Sequence, residues 1–128
     1  MSDTLEDMIY RRTLSCGTIQ VTRDQGDVSL DDLFDIAERR NPKRAFLFVS
    51  KVLGRHIPVP PSVMRQAYRQ LASQFPATLT GPVLFIGMAE TAVGLGAGVF
   101  DEVRHQHRES VYLTSTRHPV DGTLLCEF

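Results

Sequence analysis

The sequence predicts an α/β fold organised around a parallel sheet, and three stretches carry that expectation. Pro82 to Ile86 is an apolar run with no polar residue on either face. Alternation would mean one wet face, so an unbroken run predicts a strand covered on both sides, as in a parallel sheet. A small-residue turn follows, Gly87-Met-Ala-Glu-Thr-Ala92, and then a helical pattern with Val93, Phe100 and Val103 on one face, running to about His105. A second apolar run, Ala45-Phe-Leu-Phe-Val-Ser50, is bounded by charge and rich in aromatic and β-branched residues, which favours a further strand. Strand, tight turn and helix form the half-unit of ligand-binding α/β sheets. Ligands sit at the carboxyl ends of such strands, where the next helix offers free N–H groups and its positive dipole end. That geometry favours an anion, above all a phosphate. Close packing of helix on sheet is the plainer reason for the small residues.

The remaining elements follow in chain order. Met1 to Arg12, and by extension the chain to about Cys16, reads as a loosely attached N-terminus. Gly17 to Arg23 alternates, with Ile19 and Val21 on one face, and predicts a short half-exposed strand. Ser29, three residues before Asp32, is a weak capping box for a helix with Leu30, Leu33, Phe34 and Ala37 along one side. Asn41-Pro42 ends that helix, because the residue before proline avoids the helical region. Pro61 opens a second helix, in which Val63, Ala67 and Leu71 repeat at four with Met64, Tyr68 and Phe75 alongside. Val111 to Arg117 predicts another strand, and Thr123 to Phe128 a strand or structured end. A single domain spanning 1–128 accommodates all of this.

Composition narrows the function. The chain of 128 residues is 42% hydrophobic and 23% charged, with a net charge of -1, so nothing drives it toward nucleic acid or an anionic membrane. No apolar run approaches the roughly 20 residues of a membrane span, and the acidic start is unlike a signal peptide. A cytoplasmic protein with reduced Cys16 and Cys126 is the expectation. Twelve of the fourteen basic residues are Arg, which makes Lys43 and Lys51 conspicuous.

Several residues are candidates for chemistry. Ser50, Lys51, Arg55 and His56 lie where a strand ends and the chain turns. A lysine directly after a buried run is costly to bury unless it meets an anion or a carboxylate. An exposed lysine with its stem on the surface is the alternative. Thr114-Ser-Thr-Arg117 sets hydroxyls and a guanidinium at a strand end, on the same edge as the Gly87-to-Ala92 turn if the sheet is parallel. Glu90 is the only ionisable residue in that turn. It would repel a phosphate unless magnesium or an ammonium lay between, and it equally suits a helix N-terminus. His105, His107, His118 and Cys126 match no closed zinc spacing, so no metal site is assigned. The glycines of Gly94-Leu-Gly-Ala-Gly98 come too late after the strand for a dinucleotide fingerprint.

Three motifs together resemble a known family. Asn41-Pro-Lys-Arg-Ala-Phe-Leu-Phe-Val-Ser-Lys-Val-Leu-Gly-Arg-His-Ile-Pro-Val59, Gly87-Met-Ala-Glu-Thr-Ala-Val-Gly-Leu-Gly96 and Tyr112-Leu-Thr-Ser-Thr-Arg117 are similar to bacterial phosphoribosyltransferase-like proteins linked to tellurite-resistance and stress gene clusters. These resemble orotate phosphoribosyltransferase within the type I group. The resemblance implies a Rossmann-like parallel core and a reaction at the anomeric carbon of phosphoribosyl pyrophosphate (PRPP). A nitrogenous base displaces pyrophosphate, and magnesium bound with PRPP neutralises the leaving group. By position it implies that Met88, Ala89, Glu90, Thr91 and Ala92 form the pyrophosphate loop. Ser50 and Lys51, with His56 nearby, then reach the base, and Arg117 grips pyrophosphate as the catalytic arginine. It also implies a homodimer.

Two departures matter. Glu90 stands where orotate enzymes have a glycine-rich loop. The acidic pair followed by a Thr/Ser-Gly-x-Thr/Ser turn, which binds the ribose and 5-phosphate in type I enzymes, is missing, since Asp31-Asp32 precedes a helix. In this family that motif would come beyond Phe128. The chain is therefore expected to be the N-terminal part of a transferase that does not catalyse alone. A nucleotide- or phosphate-binding, or partner-binding, α/β module without catalysis is the alternative.

Overall fold

The computed structural model describes residues 8–41 and 43–124. The chain forms two compact units, Met1–Ala67 and Tyr68–Phe128.

The first unit opens with an antiparallel hairpin of β1 (Ile9–Leu14) and β2 (Gly17–Thr22), in which Leu14 faces Gly17 across a loop of Ser15 and Cys16. Gly17 has φ 140°, a conformation that side-chain-bearing residues avoid, so glycine is the residue this corner needs. Residues 9–14 are thus a paired strand where the sequence suggested a loose end. Arg11 and Arg12 hide the alternation. Tyr10 and Leu14 are buried with Ile36, and Ile19, Val21, Leu30 and Phe34 pack around them.

The helix expected through Ala37 is a single turn, α1 (Leu30–Leu33), followed directly by β3 (Phe34–Glu38). Ser29 makes no side-chain cap. The spacing of Leu30, Leu33, Phe34 and Ala37 fits a helix, but the same stretch also holds Phe34 and Ile36 at a strand's period of two. As a strand, that pair turns inward: Ile36 is 2% exposed, and Phe34 lies 4.9 Å from the Tyr10 ring and 5.2 Å from Phe48. Burial in the unit's core outweighs local propensity. β3 pairs antiparallel with β4 (Phe46–Ser50), the strand expected from Ala45 to Ser50. Their turn is closed by Arg39 N–H donating to Ala45 O (2.7 Å) and Lys43 N–H to Asn41 Oδ1 (3.0 Å). Helix α2 (Pro61–Ala72) starts at the expected proline and ends four residues before Pro76.

The second unit is built on β5 (Val83–Gly87), α3 (Ala92–Val103) and β6 (Ser110–Thr114), with β5 and β6 parallel and Gly87 opposite Thr114. Its core is a run of rings, Phe75 to Phe85 at 5.3 Å, Phe85 to Phe100 at 5.4 Å and Phe100 to Tyr112 at 5.6 Å, beside buried Tyr68, Val99 and Val103.

Two expectations about the sheet change. Among the described residues the strands form three separate pairs, and β5 with β6 is the parallel one. A short turn between β3 and β4 allows only an antiparallel partner, whereas the intervening helix lets β6 return parallel to β5. The fold is mixed α/β with small sheets, one of them parallel. Within the second unit, the described residues cover β5 on one face. Leu84 (53% exposed), Ile86 (50%), Val111 (55%) and Leu113 (49%) form an open apolar face. Apolar composition on both sides of the run did not report which side has a neighbour. Among the described residues no helix is long and apolar enough to cross a membrane. The end of the expected terminal strand, residues 125–128, lies outside the described residues.

The glycines of α3 divide by what they face. A Cβ on Gly98 would overlap the Tyr68 ring, whereas one on Gly94 would meet open space. Gly98→Ala should therefore destabilise the chain by about 1–3 kcal/mol through overpacking. Gly94→Ala should stabilise it by roughly 0.5–1 kcal/mol through helix propensity. Urea unfolding of the two variants measures both signs.

Candidate functional site

At the carboxyl end of β5 the chain turns through Met88, Ala89, Glu90 and Thr91 and enters α3 at Ala92. The parallel ladder fixes this turn from the neighbouring strand. Ser115 N–H donates to Gly87 O at 3.0 Å, extending the ladder past Thr114. The Ser115 hydroxyl then accepts the Ala89 N–H at 2.8 Å. Ala92 N–H closes the turn on Met88 O at 3.0 Å, and the Tyr112 hydroxyl donates to Val93 O at 2.6 Å. The Ala89–Glu90 peptide bond is cis.

These bonds leave a defined set of donors. Thr91, at the N-cap, makes no side-chain cap. The amides of Glu90, Thr91, Val93 and Gly94 take no hydrogen-bond partner among the described residues. Unpaired amides and the positive end of a twelve-residue helix favour an anion. Glu90 and Thr91 are exposed, while Met88, Ala89 and Ala92 are half-buried. Arg117 is exposed, two residues beyond Ser115, and its guanidinium makes no ion pair among the described residues. The segment from Thr114 to Arg117 and the turn after Gly87 thus share one sheet edge, as a parallel pairing requires.

Ser50, Lys51 and His56 belong to the first unit. The Ser50 hydroxyl accepts N–H groups from Val52 (3.2 Å) and Leu53 (3.1 Å), so it shapes the turn that ends β4. Lys51 is anchored twice, its amide to Leu33 O at 2.9 Å and its Nζ to Asp31 O at 2.7 Å. Its ammonium has three donors, of which this uses one. Arg55 and His56 are exposed. Lys51 also lines an open groove of about 590 Å³ with Arg12, Leu14, Asp35, Glu38 and Ile57.

Within that groove Asp35 is the electrostatic centre. Its Oδ1 accepts the Ile36 amide (2.7 Å) and the Tyr10 hydroxyl (2.9 Å), and the Arg12 guanidinium lies 3.5 Å away. The Ile36 amide, then the Tyr10 hydroxyl, hold the carboxyl below its ordinary value, with Arg12 and Lys51 adding favourable charge. Burial, then the bond to Asp35, pushes the Tyr10 hydroxyl up. Glu38 accepts the Ser15 amide.

Sequence reasoning missed Tyr112, Asp35 and Arg12. A glycine ending a strand, Gly87, was the available sign that something large approaches it. Asp35 was hidden by its assignment to a helix. Among the described residues no group of three or more His, Cys, Asp or Glu converges on a metal.

A family model described as phosphoribosyl transferase matches residues 33–128. The match spans β3 to β6 and leaves out the β1–β2 hairpin. No curated protein and no solved structure matches the chain.

The groove has a signature in acid. Because the folded chain lowers the Asp35 value, the carboxylate contributes stability above its unfolded value of about 3.8, and that contribution is lost as pH falls through the lower folded value. Urea midpoints measured from pH 6 down to pH 2.5 should fall below about pH 4. Asp35→Asn should flatten that part of the curve while lowering the plateau.

Proposed function

Because the chain belongs to the phosphoribosyl transferase family, we propose that it serves phosphoribosyl transfer between PRPP and a nitrogenous base, in nucleotide or nucleoside-like biosynthesis. In this reading β5, α3 and β6 are the half-unit of a Rossmann-like parallel core of the type I kind, and the turn after Gly87 holds the pyrophosphate of PRPP. The observation that carries it is the set of unpaired amides at residues 90, 91, 93 and 94, held by Ser115 beside Arg117.

The residues then divide the work. Met88, Ala89 and Ala92 shape the loop, since the Ala89 and Ala92 amides are used within it. Glu90 and Thr91 offer backbone N–H groups to pyrophosphate oxygens. Arg117 adds a fork of donors to the same oxygens, holding the charge that grows on the leaving group. Ser50, Lys51 and His56 serve the base, Lys51 through its two remaining N–H donors. A nitrogen lone pair of the base attacks the anomeric carbon. The carbon–oxygen bond to pyrophosphate breaks, and its electron pair leaves on that oxygen.

Magnesium arrives with PRPP as part of the substrate and neutralises negative charge on its oxygens. The donor set of the turn fits such a complex: backbone amides for the anion, and one exposed carboxylate, Glu90, as a hard oxygen donor near the ion. Such a pairing would give the acid a role in an anion-binding turn.

Calorimetric titration with PRPP and magnesium tests the assignment. Arg117→Ala should weaken binding by about 1.5–3 kcal/mol, or roughly 10- to 100-fold, the loss expected for a charged hydrogen bond. Lys51→Ala should leave PRPP affinity within about two-fold of the wild type, because its role is on the base side. Wild-type affinity in Arg117→Ala would contradict the assignment.

A further inference from the structure

Tyr112 lies in β6 opposite Phe85, with its ring 5.6 Å from Phe100. The ring fills core space that any aromatic residue would fill. Its hydroxyl does something else. It reaches the start of α3 and donates to Val93 O at 2.6 Å, within the range of a strong O–H···O bond. Two glycines from different elements clear its way. A Cβ on Gly87 would overlap the hydroxyl, and one on Gly96 would come within 3.0 Å of it and 3.1 Å of the ring. Gly87 belongs to the strand before the turn and Gly96 to the helix after it. The chain therefore omits a side chain on each flank of the turn and places one hydroxyl between them.

We infer that Tyr112 is a positioning residue for the anion-binding turn, fixing the first turn of α3 and with it the unpaired amides of residues 90, 91, 93 and 94. The inference rests on the pyrophosphate reading of that turn. Ser115 holds the turn at Ala89 and Tyr112 holds it at Val93, so the donors between and beside these two points are fixed. Binding that relies on preset donors loses affinity when one pin is removed, because the ligand must then order them. Tyr112→Phe keeps the ring and removes only the pin.

The test uses inorganic pyrophosphate with magnesium as probe, on the wild-type chain, Tyr112→Phe and Phe85→Leu. Phe85 belongs to the same ring run but makes no side-chain hydrogen bond to the turn, so its variant reports on stability alone. Tyr112→Phe should bind roughly five-fold more weakly, the worth of one neutral hydrogen bond, with faster hydrogen exchange of amides 90–97. Phe85→Leu should lower the melting temperature at least as far and bind within two-fold of wild type. Wild-type affinity in Tyr112→Phe, or equal losses in both variants, overturns the positioning role. A wild-type chain that binds no pyrophosphate overturns the reading of the turn beneath it, and this shows before any variant is compared.

Discussion

The parallel ladder between β5 and β6 is the constraint on which the site depends. Parallel strands end at the same edge, so whatever follows each of them is brought together. Here those are the turn after Gly87 and the segment from Ser115 to Arg117. Ser115 converts adjacency into attachment, donating its amide to Gly87 O and accepting the Ala89 N–H on its hydroxyl. Were the pair antiparallel, Arg117 would lie at the other end of a five-residue strand, about 13 Å away. The cluster of donors would not exist.

The same edge explains the small residues of the second unit. α3 runs close to β5, near enough that a Cβ on Gly96 would meet the Gly87 Cα at 3.2 Å. Close approach admits no side chain on that line, and the Tyr112 hydroxyl takes the space beside Gly87 and Gly96, while Tyr68 packs against α3 at Gly98. Aromatic bulk and missing side chains are two halves of one packing arrangement. The rings of Phe75, Phe85, Phe100 and Tyr112 supply the apolar burial, and the glycines set how near the helix start comes to the strand end.

Much of the second unit was legible in the sequence. An apolar run, a small-residue turn and a 3.6-residue period follow one another without interruption from Pro82 to Val103, and each signal is local. The placement of Thr114 to Arg117 followed once the pairing was parallel. What stayed hidden was not local. Leu84 and Ile86 are as apolar as Phe85, and composition does not tell which of them meets a neighbour. Leu30, Leu33, Phe34 and Ala37 satisfy a helical period, but burying Ile36 under Tyr10 and Leu14 decides for a strand. Arg12 reads as a charged chain end and is a partner of Asp35. The role of Tyr112 depends on Gly87 and Gly96 converging in space from different elements.

The central claim, that the Gly87-to-Ala92 turn and the Ser115-to-Arg117 segment form one pyrophosphate site, is tested most directly by mapping the ligand onto the backbone. Magnesium pyrophosphate would be titrated into the 15N-labelled chain and the amide shifts followed residue by residue. The account predicts the largest changes at Glu90, Thr91, Val93 and Gly94, with Ser115 to Arg117 moving along the same saturation curve. Changes confined to the groove around Lys51 and Asp35, or none at saturating ligand, would contradict it.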